Sequence, residues 1–462
     1  MTEPSATPPI SSTTRLRWLV LALLIVLIEV VYMFVVSAGK FADWPTYLSY
    51  FDSLAEGFRS GHLHLNFGPP PELLASPDPF DRINEEFWNT DVSLYKGQFY
   101  LYWGPVPAVL LAGFKILFRI RPETFIGDQY LAFTFYTMQL VFGVLLLERM
   151  SRLLWDRVPL WALGLAVVTF AFATPTPHSL ANAAIYNTAI AGGQAFLMGG
   201  VLFAFVAVTT PGGGRRPRAR LLVIGVFWAL AIGCRVTLAP SVLLLGVATV
   251  WALRPVDGRP WLARARRLLW LGLPSVLVIA TLLLYNKLRF ESWTDFGGSR
   301  QLSSLPFSIS KGYLWPNLYG YLLRPLTIDC RFPYLAAPWH LGRRAYPARL
   351  LIPPGYWPEE PLVGILPGIP FALLGIAALV GVVVWRRARR AAGDPGPADA
   401  RDRYFLWCAA AFAILCTNSA FPVLVLFMSS MRQLGDINAG LVLLGTLGTW
   451  WLLVRYRDSA WR

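Results

Sequence analysis

The chain has 462 residues, 55% of them hydrophobic and 15% charged, with a mean hydropathy of +0.50. A soluble protein carries roughly 25% charged residues, and repeated apolar runs near the ~20 residues that span a bilayer exclude that class. The formal charge of +15 does not point to nucleic acid, because most arginines sit in short segments between apolar runs, such as Arg215, Arg216, Arg218 and Arg220 or Arg386, Arg387, Arg389 and Arg390. The positive-inside rule puts such clusters at the cytoplasmic face.

The opening stretch "MTEPSATPPISSTTRLR" (1–17) is polar and proline-containing, and predicts a disordered tail. A first span follows at about 18–37, behind Arg15 and Arg17. Its "VVSAG" only faintly resembles a signal-peptidase site, and the apolar run exceeds an ordinary signal core. It reads as a retained signal anchor with the N-terminus, and by parity the C-terminus, in the cytoplasm. Later spans are expected near 130–147, 159–175, 185–208, 221–238, 239–253, 268–286, 362–385, 404–427 and 436–455. The fold class is therefore an all-α polytopic membrane bundle of about ten helices (range 9–12). The break near "CRVTLAP" is the weakest boundary, because Pro240 could merely kink one long helix.

The segment 101–118, "LYWGPVPAVLLAGFKILF", is apolar enough to suggest another span. If it crossed, the loops holding Arg149, Arg152 and Arg157, Arg215–Arg220, Arg254–Arg267 and Arg386–Arg403 would all lie outside. If it does not cross, all four lie inside. It is therefore expected as a short helix in or dipping into the outer interface, with Lys115, Arg119 and Arg121 at its end.

This leaves an N-terminal membrane module (18–286) holding a long outer loop (38–128), a second outer loop (287–361), and C-terminal helices with a short tail (362–462). Loops that long mark function. Eleven of the 26 acidic residues fall in the first loop, and His62, His64, His178 and His340 all fall on the outer side. Cys234, Cys408 and Cys416 lie in expected spans and Cys330 in a loop, so neither a disulfide framework nor a CxxC metal pair is available. "TTPGGGRRPRAR" and "ARRAAGDPGPADARDR" read as cytoplasmic linkers.

Several residues bear chemistry, each with a plainer alternative. Asp43, in "KFADWPTYLSYFDSLAEG", is either a general base held at the membrane surface or, with Pro45 following, a helix N-cap. Asp91 leads into "VSLYKGQFY", where Gly97 permits a tight turn and Lys96 can neutralise an anion. With Tyr95, Phe99, Tyr100, Tyr102 and Trp103 this suits a sugar or lipid-phosphate headgroup, or else an aromatic anchor with an Asx turn. The "HLH" of His62 and His64 lacks a third metal ligand at a recognisable spacing. Glu29, inside the first span, is expected to pair with Arg235 or to stay protonated. "YNKLRFESWTDFGGSR" places Lys287, Arg289, Asp295 and Arg300 around Gly297 and Gly298, as a phosphate grip or a solvated turn, and Arg432 and Asp436 in "SSMRQLGD" read the same two ways.

Taken in order, "DWPTYLSYFDSLAEG", "TDVSLYKGQFYLYWGPVP", "CRVTL", "YNKLRFESWTDFGG" and "MRQLGD" resemble the GT-C superfamily of membrane glycosyltransferases, which includes protein O-mannosyltransferases, aminoarabinose transferases and oligosaccharyltransferases. The likeness is greater to uncharacterised bacterial members and covers roughly 18–455. It implies transfer of a sugar from a polyprenyl-phosphate donor to a lipid, glycan or protein acceptor at the outer face of the bacterial cytoplasmic membrane. By position in the motifs it implies Asp43 and Asp91 as catalytic carboxylates, with Asp43 as the base that deprotonates the acceptor. Lys96, Tyr95, Tyr100, Arg289, Arg300 and Arg432 would bind substrate. Two departures stand out: the usual acidic pair is the single Asp43 followed by Trp44, and the "MRY" of related chains is "MRQ" at Met431–Gln433. No cofactor is implied with certainty, and the acid-rich loop leaves a divalent metal open. A lipid-linked sugar flippase, or an inactive scaffold of the same fold, are the alternatives.

Overall fold

The computed structural model describes residues 12–155, 158–173, 175–210, 217–253, 260–303, 308–328, 335–336, 339–391, 400–417 and 423–457. Part of the polar tail, Arg157, Arg215, Arg216, Arg254 and Cys330 lie outside these, as do the side chains of His340, Arg386, Arg389 and Arg390.

The chain is helical, with two small antiparallel strand pairs among the described residues. Six described helices are long and apolar enough to cross a membrane: α1 (Ser12–Val36), α5 (Asp128–Leu154), α8 (Ile185–Thr209), α9 (Pro217–Cys234), α11 (Pro260–Phe290) and α16 (Met431–Arg457). The other four expected spans are helical but shorter or interrupted: α6 (Leu160–Phe172), α10 (Ala239–Ala252), α15 (Ala400–Cys416), and the run from α13 (Ile365–Gly368) to α14 (Gly375–Ala391). Two further helices, α7 (Thr176–Ala181) and α12 (Leu314–Leu323), lie between these.

Burial follows the helical period. Along α1 the buried residues are Leu21, Ile28, Tyr32 and Val36, spaced by seven, four and four on one face, while Leu19, Leu23, Val26 and Leu27 face outward as a span against lipid requires. α8 sits at the centre between α5 and α9 and is almost wholly buried. Its small residues permit this: a Cβ at Gly199 would lie 2.6 Å from the Phe227 ring.

The break near "CRVTLAP" is real. α9 ends at Cys234, Arg235 is extended at φ −147°, and a single 3₁₀ turn leads into α10 with Pro240 in its first turn. Arg235 does not pair with Glu29. Its guanidinium lies 2.6 Å from Asp436 of α16, and Glu29 accepts a hydrogen bond from Thr137 at 2.9 Å.

The first long loop, 38–128, folds into a layer of its own. It comprises α2 (Phe51–Arg59), α3 (Pro71–Ala75), a hairpin of β1 (Ser93–Tyr95) and β2 (Gln98–Tyr100), and α4 (Val106–Leu117). The expected N-cap at Asp43 does not form; residues 44–50 are not helical and the next helix starts at Phe51. The hairpin turn is Lys96-Gly97, both at positive φ (49° and 73°), the geometry that matches strand twist. Alternation sends Val92, Leu94, Phe99 and Leu101 inward onto Phe51, Leu54 and Leu65.

α4 has 12 residues, about 18 Å of helix against a ~30 Å hydrocarbon core, so it cannot cross. One face is exposed and apolar (Val109, Phe114, Ile116, Leu117). Lys115 departs from the expectation of an interfacial lysine. It is fully buried, with Nζ 2.6 Å from Asp52 and 2.8 Å from Glu56, and it donates to the Thr124 carbonyl at 2.9 Å. Asp52 and Glu56 stand four apart on α2, so one face of that helix offers two carboxylates to one ammonium. Replacing Lys115 by Ala leaves buried Asp52 with no cation, held only by the Ile126 N–H, while Glu56 keeps Arg59, and is expected to destabilise by about 3 kcal/mol, seen as a lowered melting temperature in detergent.

Candidate functional site

The segment 89–107 is positioned from both ends. At its end, Gly104 lies so close to the Gly233 carbonyl, and to that of Cys234, that any Cβ there would collide with backbone. The "WGP" corner is therefore seated on the end of α9. At its start, Asp91 takes the left-handed conformation at φ 62°, which aspartate tolerates better than most residues.

Asp91 is held by one carboxylate oxygen. Its Oδ1 accepts from the Tyr102 hydroxyl at 2.8 Å and from Gln301 Nε2 at 3.2 Å, and Gln301 also donates to the Tyr102 oxygen at 3.2 Å. Among the described residues Oδ2 makes no hydrogen bond. Burial, and then the charge of Asp91, push the Tyr102 phenol well above its usual range, so it remains a donor. Gln301 reaches the site through backbone: it bridges Ser93, and Leu302 donates to the Val92 carbonyl at 3.0 Å. Gly297 makes this approach workable, because at φ 96° a Cβ would sit 2.7 Å from both the Phe290 ring and Ser93 Oγ.

Arg432, in the first turn of α16, completes the group. Its guanidinium stacks 4.3 Å from the Tyr186 ring centre, and Asp91 and Tyr102 lie within its electrostatic reach. Its other contacts are long: Glu360 Oε1 at 3.9 Å and the Met428 sulfur at 3.9 Å. One turn along, Asp436 is paired with Arg235, whose guanidinium stands 6.0 Å from the Trp103 ring centre. Gln433 accepts from the Tyr321 hydroxyl.

The remaining expected residues form a neighbouring cluster around the end of α11, and there the charges are engaged. Lys96 forms an ion pair with Glu291, which also accepts from Tyr95 at 3.2 Å. That pairing pulls the Glu291 carboxyl down and pushes Lys96 up. Arg300 stacks 4.3 Å from the Tyr95 ring centre and meets Asp295 at 3.1 Å. Tyr100 packs edge-on against Phe290. Arg289 is buried under Tyr285 and donates to the Leu101 carbonyl at 2.5 Å and to Asn286 at 2.9 Å.

Asp43 is exposed, at φ 52°, and makes no hydrogen bond or ion pair among the described residues; its neighbour Trp44 stacks on Tyr130. The structure thus holds Asp91 on Tyr102 and Gln301 with the charge of Arg432 within electrostatic reach, gathers Lys96, Tyr95, Tyr100, Arg289 and Arg300 around Glu291 and Phe290, and leaves Asp43 apart. Sequence reasoning missed Gln301, Tyr186 and Glu360 as partners. Only the fourfold spacing of Arg432 and Asp436 signalled that these two share a helix face. His62 and His64 stack on each other at 4.8 Å, and among the described residues no group of three His, Cys, Asp or Glu side chains is placed to hold a metal.

No family model matches the chain, and no curated protein is similar to it. Two solved structures are similar in shape. One is the archaeal oligosaccharyltransferase AglB from Archaeoglobus fulgidus in complex with an inhibitory peptide and a dolichol-phosphate: TM-score 0.45, 12% identity, covering 95% of this chain and 51% of that one. The other is an Archaeoglobus fulgidus oligosaccharyltransferase complexed with Zn and sulfate: TM-score 0.41, 11% identity, covering 94% and 50%. The chain spans about half the length of both. At these values the residues of this chain, and not the likeness, bear on function.

His178, on α7, offers a readout of this region. Burial, then the charge of Arg432, hold its imidazole below the usual range. The unfolded chain therefore takes up the proton first, and stability falls as pH drops below about 6.5 towards the lowered folded value. Melting temperature in detergent between pH 8 and pH 5 is expected to decline more steeply in the wild type than in His178→Gln.

Proposed function

We propose that the chain is a membrane glycosyltransferase that moves a sugar from a polyprenyl-phosphate donor to a lipid, glycan or protein acceptor at the outer face of the bacterial cytoplasmic membrane. One observation carries the reading. A carboxylate oriented through one oxygen, with the other unengaged, stands within electrostatic reach of an arginine whose nearest carboxylate is 3.9 Å away. The motif resemblance to GT-C enzymes supplies the donor and acceptor classes.

In this mechanism Asp91 Oδ2 takes the proton from the acceptor nucleophile, which attacks the anomeric carbon from the face opposite the phosphate. The bond between that carbon and the phosphate oxygen breaks with inversion. The charge left on the lipid phosphate is offset by Arg432, whose planar donors suit phosphate oxygens. Lys96, Arg289 and Arg300, with Tyr95 and Tyr100, would shape the adjoining wall. Asp43 remains the second candidate base, because its carboxylate is unengaged and matches the family's acid after the first span.

The test is release of polyprenyl phosphate by purified protein in nanodiscs, supplied with bacterial polyprenyl-phosphate sugars and a lipid and glycan extract. Asp91→Asn keeps the left-handed backbone and should lower kcat by about 10²–10⁴. Arg432→Lys should also lower it, having lost the paired donors. Full release by Asp91→Asn would remove it as the base, and loss in Asp43→Asn alone would transfer that role. Donor binding without release in the wild type would favour a flippase.

A further inference from the structure

The helix ends remote from the Asp91 group hold a second concentration of charge. Arg149 lies in the last two turns of α5, Thr209 ends α8, Arg220 lies in the first turn of α9, and Arg17 lies near the start of α1. The Arg432 stack on Tyr186 is at the other end of α8, and the Gly104 corner is at the other end of α9. Tryptophans stand at the arginine end as well. Trp161 at the start of α6, Trp251 at the end of α10 and Trp261 at the start of α11 are exposed by 64%, 64% and 65%. Exposed tryptophan at the ends of apolar helices marks the headgroup layer of a bilayer.

Four guanidiniums here share one carboxylate. Buried Glu148 takes Arg152 at 2.6 Å and Arg17 at 3.8 Å. Arg149 and Arg220 lie within electrostatic reach of each other, and neither forms an ion pair among the described residues. The Arg149 fork is spent on one neutral oxygen: Nε and Nη2 both donate to the Thr209 hydroxyl, at 3.0 and 2.7 Å. Arg220 donates no hydrogen bond among the described residues. Its Nη1 is sealed from solvent, yet the side chain is only half-buried, so one edge of the guanidinium is tucked in and another is open. The usual account of such arginines, that cations offset the negative end of a helix, serves Arg149 on α5. It fails for Arg220, because the first turn of α9 is a positive end and holds no acid. Two like charges drawn together where α5 and α9 flank α8 repel, and an anion between them would remove that cost.

We propose that Arg149 and Arg220 bind the phosphate of an anionic phospholipid at this end of the bundle. A phosphodiester offers two anionic oxygens, and a guanidinium meets them with planar, paired donors. The net charge of the lipid matters as much as its phosphate, because a zwitterionic headgroup would bring its own cation to a cluster already in surplus. Inorganic phosphate shares the chemistry, but the exposed tryptophans put the cluster beside lipid headgroups. The bound lipid joins α5 to α9 at the end opposite the Asp91 group, and it does so whatever reaction that group performs.

The test is native mass spectrometry of the full chain, stripped of lipid in neutral detergent. The protein would then be offered equal amounts of a phosphatidylglycerol and a phosphatidylcholine with the same acyl chains. The wild type should retain the phosphatidylglycerol in preference by about tenfold or more, the range of one charge-assisted hydrogen bond. Arg149→Gln and Arg220→Gln should each abolish most of that preference. Arg266→Gln, which removes the same charge from an exposed residue of α11, should leave it intact. Equal retention of the two lipids by the wild type overturns the proposal. So does an equal loss in Arg266→Gln and Arg220→Gln, which would mark diffuse attraction to a basic protein. Displacement of the lipid by inorganic phosphate at equal concentration would also overturn it, handing the cluster to a soluble anion. Should Arg149→Gln aggregate for want of its Thr209 contact, Arg220→Gln decides alone, since Arg220 has no hydrogen bond among the described residues to lose.

Discussion

A charge inside a membrane protein persists only when another charge meets it, and the ion pair of Arg235 and Asp436 at 2.6 Å is the contact on which the site depends. Asp436 is fully buried and Arg235 nearly so. Their meeting requires α9 to stop at Cys234, so that an extended residue can present its side chain to α16. Once that register is set, Arg432, one turn earlier on α16, lies on the same face. Trp103 beside Arg235 and Gly104 against α9 then bring in the loop that carries Tyr102 and Asp91. A helix break, a buried pair and a glycine without room for a side chain together bring the Asp91 carboxylate within electrostatic reach of the Arg432 guanidinium.

The first long loop is organised by a second buried charge. Lys115 draws α4 to α2 by binding two acids of one helix face, and the apolar side chains of the hairpin pack beneath. Such a knot adds little net stability over a hydrophobic one of the same shape, but breaking it is expensive, so it fixes one arrangement of the layer. Both candidate acids, Asp43 and Asp91, sit at positive φ, conformations that mark constrained corners. They differ in what surrounds them: Asp91 is oriented by two donors and Asp43 by none.

Charge engagement separates the cations that a sequence treats alike. Arg289 hydrogen-bonds the backbone of the loop, Arg300 and Lys96 meet carboxylates, and Arg59 closes on Glu56. Arg432 is different, because it stacks on an aromatic ring and its nearest carboxylate is at the limit of an ion pair. A guanidinium in that state can offer its paired donors to phosphate oxygens. This is why the proposed phosphate contact rests on Arg432, while the others shape the wall around it.

What the sequence by itself determined is local. Apolar runs of the right length set the helices, and Lys96-Gly97 specified its turn, because each depends on neighbours a few residues away. The break was expected only as the weakest boundary, between 238 and 239, because Pro240 could equally have kinked one long helix; the structure ends α9 earlier, at Cys234. The pairings were not legible. Asp91 and Gln301 are 210 residues apart and Arg235 and Asp436 are 201 apart. No periodicity links such partners; only the packing of α9 on α8 and of the loop on both brings them together. Whether a lysine lies at the interface, as expected for Lys115, or is buried between two acids is likewise settled by which helix face it meets, and that is a property of the tertiary structure alone.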